Sequence, residues 1–129
     1  MSQDRPDAIE LLRTVREFVD GLRPKLQREE QYHAVVAAYL LGIVERELAL
    51  SADFDEREKA QLSGFVGAQG SLVELRKSLC EGIRSGLYDE RWQELLEMIL
   101  EQIANKVRVV RPDHLDSIHS KPCDAGRRR

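Results

Sequence analysis

YHAVVAAYLLGIVERELAL, residues 32–50, decides the fold. A helix wet on one side alternates apolar and polar residues with a period of 3.6, and this stretch hardly does. It reads as a long helix, apolar or small on nearly every face, and so as the central element of an all-α domain. At 100° per residue Val36, Leu40, Ile43 and Val44 form one apolar arc, with His33 at its entrance and Glu47 at its middle. On the opposite side Ala34, Ala38 and Gly42 recur every four residues. Such a strip of small side chains lets another helix come close or leaves a shallow groove, and the density of protein interiors favours close packing.

Start and stop signals extend this reading along the chain. Asp7 with Glu10, Asp55 with Glu58 and Ser71 with Glu74 have capping-box spacing, and Asp89 before Glu90 is a fourth N-cap candidate. Gly21, Gly67 with Gly70, and Gly86 are placed to end helices, and Pro24 separates the first from the second. These signals predict five helices, about 7–21, 28–50, 55–66, 71–85 and 89–109. The first carries a stripe of Leu11, Val15, Phe18 and Leu22, flanked by Leu12 and Val19. The fourth shows Leu72, Leu75, Leu79 and Ile83; the fifth shows Trp92, Leu95, Leu96, Ile99, Ile103 and Val107. Short connections favour antiparallel neighbours. The expected architecture is one up-and-down helical bundle over residues 1–115. Residues 116–129 read as a disordered tail, where periodicity fades.

Composition narrows the function classes. The chain has 129 residues, one domain's worth, and a net charge of −3. No basic stripe for nucleic acid is visible outside Arg127, Arg128 and Arg129, which read as part of a solvated tail. No apolar run approaches the ~20 residues of a membrane span. MSQDRPDA carries no signal-peptide pattern. Two cysteines without CxxC spacing suggest a reducing cytoplasm, with Cys80 a small core residue and Cys123 an exposed thiol.

Chemistry finds few footholds. Glu30 and His33 have the Glu-x-x-His spacing of carboxylate-bridged dimetal bundles, but that centre needs a second copy and two further glutamates. Neither His114 nor His119 supplies one, so His33 reads as structural, and no metal or other cofactor is expected. Serines lie at caps and helix surfaces without a nucleophile elbow. The spaced Gly64, Gly67 and Gly70 lack the Lys-Ser/Thr of a phosphate loop. Arg13, Arg16, Glu17, Glu56 and Arg57 read as solvated faces. Helix phase puts Glu47, Arg76 and Lys106 toward the interior. Because an isolated buried charge is costly, Glu47 should pair with Lys106 or Arg76, unless each snorkels to water from a helix end.

Four segments, QDRPDAIELLRTVREFV, YHAVVAAYLLGIVEREL, LRKSLCEGIR and the last helix before RPDHL, carry a resemblance over roughly residues 3–115. Together they resemble an uncharacterised bacterial all-helical domain family of unknown function, often encoded beside aminoglycoside-phosphotransferase-like kinases and acyl-CoA dehydrogenases. Tyr32-His33 matches the aromatic–His pair opening that family's second helix, whereas Tyr39 stands where a smaller polar residue is expected. The family has no activity to carry over. The resemblance implies a partner, a phosphotransferase-like kinase acting in acyl or hydroxyacyl catabolism. The first expectation is therefore a cytoplasmic accessory module that binds such a kinase, with a homodimer through an apolar helix face as a further expectation. The alternative is a bundle binding an acyl or CoA-type ligand near His33, Glu47, Arg76 and Lys106. An independent enzyme comes third, and no catalytic residue is assigned.

Overall fold

A computed structural model describes residues 5–115. Among them the regular elements are all helical: α1 (Ala8–Leu22), α2 (Arg28–Val66), α3 (Leu72–Arg84) and α4 (Trp92–Val110), with short 3-10 turns between α1 and α2, between α3 and α4, and after α4. The all-helical expectation holds, but there are four α-helices rather than five. The expected second and third helices are one, because nothing in LALSADFDERE, residues 48–58, obliges a break. The stretch has neither proline nor glycine, and helix propagation through it needs only one further hydrogen bond per residue. The capping-box spacing of Asp55 and Glu58 is therefore coincidental. The remaining tail expectations, with His119 and Cys123, lie outside the described residues.

The other two capping boxes form as read. The Glu10 amide donates to Asp7 Oδ1 at 2.8 Å and the Asp7 amide to Glu10 Oε2 at 3.0 Å. Ser71 and Glu74 repeat the exchange at 3.2 and 3.1 Å. Gly67 ends α2 with φ +75°, a left-handed conformation that favours glycine. Gly21 stops nothing, since α1 runs to Leu22. Asp89 does not cap α4; it begins a 3-10 turn, and α4 starts at Trp92 without a side-chain cap.

The described residues form two compact units that divide after Ser51, inside α2. In the first, Arg16 of α1 donates to Glu45 Oε2 at 3.0 Å, and its Cδ would lie 3.9 Å from a Cβ at Gly42. Ala34, Ala38 and Gly42 are buried. The small-residue strip is thus the close-packed face, where short side chains let helices approach. Arg16, expected on a solvated face, is half-buried in this contact.

In the second unit Leu62, Phe65, Leu75, Leu79, Tyr88 and Met98 form the core, with Val66, Leu72 and Leu95 packed against it. Along α2 the inward positions Phe54, Glu58, Leu62 and Phe65 recur every three or four residues. Gly82 takes the inward place on α3 expected of Ile83, which is exposed. The reason is the Tyr88 ring: a Cβ at Gly82 would lie 2.3 Å from Tyr88 Cε2. Cys80, expected in the core, is exposed one position beyond the buried Leu79.

Two stability measurements check this packing. Ser71→Ala should cost about 1 kcal/mol by chemical denaturation, whereas Asp55→Ala should stay within about 0.5 kcal/mol of zero. Gly82→Ala should be net destabilising by about 1 kcal/mol, because overpacking against Tyr88 outweighs the helix-propensity gain.

Candidate functional site

The second unit carries a polar layer beside its core. Glu58 is only 9% exposed, on the inward face of α2, and α3 brings Arg76 to it. Arg76 Nε donates to Glu58 Oε1 at 2.8 Å and its terminal nitrogen to Oε2 at 2.7 Å. This two-pronged geometry uses both carboxylate oxygens and matches the planar guanidinium. Glu101 of α4 receives Arg57 at 2.5 Å and the Gln61 amide at 2.7 Å, both from α2. Arg91 lies over the Phe65 ring, 4.1 Å from its centroid, and donates to the Phe65 carbonyl at 3.3 Å. Phe65 in turn packs on Tyr88, with ring centroids 4.8 Å apart.

Chemically this layer clamps helices. Arg76 is held above its ordinary pKa, chiefly by the hydrogen bond to Glu58, which outweighs the opposing effect of its partial burial. A guanidinium so held does not give up its proton at neutral pH, and the Glu58 carboxylate has both oxygens engaged. Neither group is a free acid or base for catalysis. On the surface, Arg91 hydrogen-bonds Glu94 and holds its carboxyl below the ordinary range.

The sequence candidates fare unequally. Arg76 is half-buried and ion-paired, but its partner is Glu58. Glu47 and Lys106, expected inside, are exposed. Each helix has more than one apolar face, and the face on which they lie is not the one covered. His33 is exposed beside Tyr32, with ring centroids 6.0 Å apart. Among the described residues no group of three or more His, Cys, Asp and Glu side chains converges as a metal site. Sequence reasoning missed Glu58, Glu101, Arg57 and Arg91. Glu58 had a signal, its phase with Phe54, Leu62 and Phe65, which the capping-box reading obscured. Arg57, expected on a solvated face, is half-buried against Glu101.

The first unit offers a surface instead of a polar site. With the small-residue strip covered, the large side chains of α2 face outward: Val36, Leu40, Val44 and Leu48 are exposed. On α1, Leu12 and Val19 are half-buried while Leu11, Val15 and Phe18 are exposed. Phe18 is 66% exposed, unusual for the largest apolar residue of its helix. Each set recurs every three or four residues and so lies on one side of its helix.

A family model described as a domain of unknown function, DUF6285, matches residues 24–114, and the chain belongs to that family. No curated protein matches the chain, and no solved structure does. No helix of the described residues is long and apolar enough to cross a membrane.

The ion pair makes an asymmetric prediction. Arg76→Met strands a buried carboxylate and should cost about 2 kcal/mol; Glu58→Gln leaves a guanidinium that water reaches and should cost about 1 kcal/mol. Because Arg76 has its pKa raised, stability from its charge is present below the unfolded value and fades only as pH climbs through the still higher folded value. Denaturation midpoints of wild type and Arg76→Met should therefore keep a constant difference from neutral to mildly alkaline pH.

Proposed function

We propose that this DUF6285 member is a cytoplasmic protein-interaction module, an accessory to a phosphotransferase-like kinase in acyl-CoA metabolism. The observation that carries the interaction reading is the outward-facing apolar surface of the first unit, Leu11, Val15 and Phe18 on α1 with Val36, Leu40 and Val44 on α2. Two helices that bury alanines and a glycine while exposing leucines, valines and a phenylalanine gain most by covering those side chains with another protein. At about 25 cal/mol per Å², the exposed side chains represent several kcal/mol of unrealised burial.

The polar groups support the same class of function. In the second unit Glu58 and Glu101 are engaged with arginines, Arg76 and Arg57, from neighbouring helices, and so serve as structural contacts. In the first unit Arg16 of α1 is tied to Glu45 of α2, and helices held together in this way limit the entropy lost on association. The choice of a kinase of acyl-CoA metabolism as partner rests on the family resemblance of the four sequence segments.

Co-expression with an aminoglycoside-phosphotransferase-like kinase, of the class that the family resemblance implies, tests the reading. The pair should co-purify, and Phe18→Glu or Leu40→Glu should weaken binding at least tenfold without changing helicity or Tm. Failure of the wild-type pair to associate, or binding indifferent to both substitutions, would sink the proposal. A Tm rise with acyl-CoAs but not with the kinase would instead favour the ligand-binding alternative.

A further inference from the structure

α1 is held differently from α3 and α4. Those two helices put Leu75, Leu79 and Met98 into the core of the second unit. None of the 15 residues of α1 is buried. Its inward side, Ile9, Leu12, Arg16, Val19 and Leu22, is only half-buried at each position. The facing strip of α2 is Ala34, Ala38 and Gly42, side chains with little apolar area to contribute. The polar contact between the helices also carries a defect. Arg16 Nε donates to Glu45 Oε2 at 3.0 Å, but Glu45 Oε1 is buried and accepts no hydrogen bond. The two side chains are 32% and 13% exposed, so separating the helices rehydrates chiefly the carboxylate. A buried carboxylate oxygen without a donor has lost solvation that water would restore. This contact aligns α1 on α2 and, at the same time, opposes its docking.

The chain around α1 allows it to leave without dismantling α2. Arg23, Pro24 and Lys25 form an exposed 3-10 turn, and Leu26 returns to extended backbone before α2 begins. The hydrogen-bond ladder of α2 runs on from the part held by the second unit's core, and continuing a helix needs one further bond per residue. A helix the length of α1 on its own is marginal in water, so once off α2 it melts.

We infer that α1 is a strap: it comes off α2 in one cooperative step while the second unit stays folded, and so uncovers Ala34, Ala38 and Gly42. The closed strap is the resting state and the open one a minor state, drawn from the low end of the range of local opening free energies. Leu11, Val15 and Phe18 travel with α1, so opening takes apart the surface assigned above to a partner. The strap itself needs no partner, and its test uses none.

Native-state amide hydrogen exchange of the full chain tests the inference. The amides of Leu12 to Leu22 should share one protection factor, about a hundredfold below those of Leu75, Leu79 and Met98. Arg16→Met leaves the buried Glu45 carboxylate without its donor and should lower protection in α1 about tenfold more, with α3 and α4 unchanged. The double variant Arg16→Met, Glu45→Leu removes the unsatisfied oxygen as well and should return α1 to wild-type protection or above. If Arg16→Met fails to fold, wild type and the double variant carry the test. Protection of α1 equal to that of α3 and α4, or graded from its first residue inward rather than shared, would overturn the strap. So would an Arg16→Met effect spread equally over all four helices, or a double variant no better protected than the single one.

Discussion

An unbroken α2 is the constraint on which the other elements depend. From Arg28 to Val66 its 39 residues contain no proline, and its glycines at 42 and 64 are accommodated within the helix. Each compact unit uses its own part of this helix as a packing face. In the first unit that face is Ala34, Ala38 and Gly42, small enough for Arg16 to lie against the backbone and reach Glu45. In the second it is Glu58, Leu62 and Phe65, which meet α3, α4 and Tyr88. One helix thus presents two chemically different inward faces, and its neighbours differ accordingly.

The second unit shows how charge is accommodated beside a small core. Glu58 has its buried carboxylate covered on both oxygens by Arg76, and Glu101 is held by Arg57 and Gln61. These contacts tie α2 to α3 and to α4 from the polar side, while Leu62, Phe65, Leu75 and Met98 tie them from the apolar side. Because the polar contacts are directional and the apolar ones are not, the pairs help to set helix register. That division explains why the most buried acids and bases of the chain read as structural rather than catalytic.

The inside-out helices connect structure to function. In α1, the first part of α2 and α4, several large aliphatic and aromatic side chains face outward, although others, such as Met98 of α4, face in. One such helix would be a curiosity. Exposed large apolar side chains recur in both units. Burial lost within the chain becomes burial available on association, which is how a small domain can be foldable and adhesive at once.

Composition and periodicity alone determined that the chain is helical, that Asp7 and Ser71 open helices, that Gly67 closes one, and which faces are apolar. These are local properties, set by backbone hydrogen bonding within a turn or two and by the 3.6-residue period. Whether Asp55 would interrupt α2 was less legible, since a capping signal competes with continued propagation and only the summed contacts decide. The candidate charges were half legible: Arg76 was recognised as needing an acid, but Glu58 was hidden by its resemblance to a capping residue. Only the tertiary structure decided which of several apolar faces is covered. That choice depends on shape: a glycine at 82 admits Tyr88 while Ile83 is exposed, and with Ala34, Ala38 and Gly42 buried, Val36, Leu40 and Val44 face outward. Hydrophobicity says how much each face gains by burial, but the fit between helices determines which face receives it.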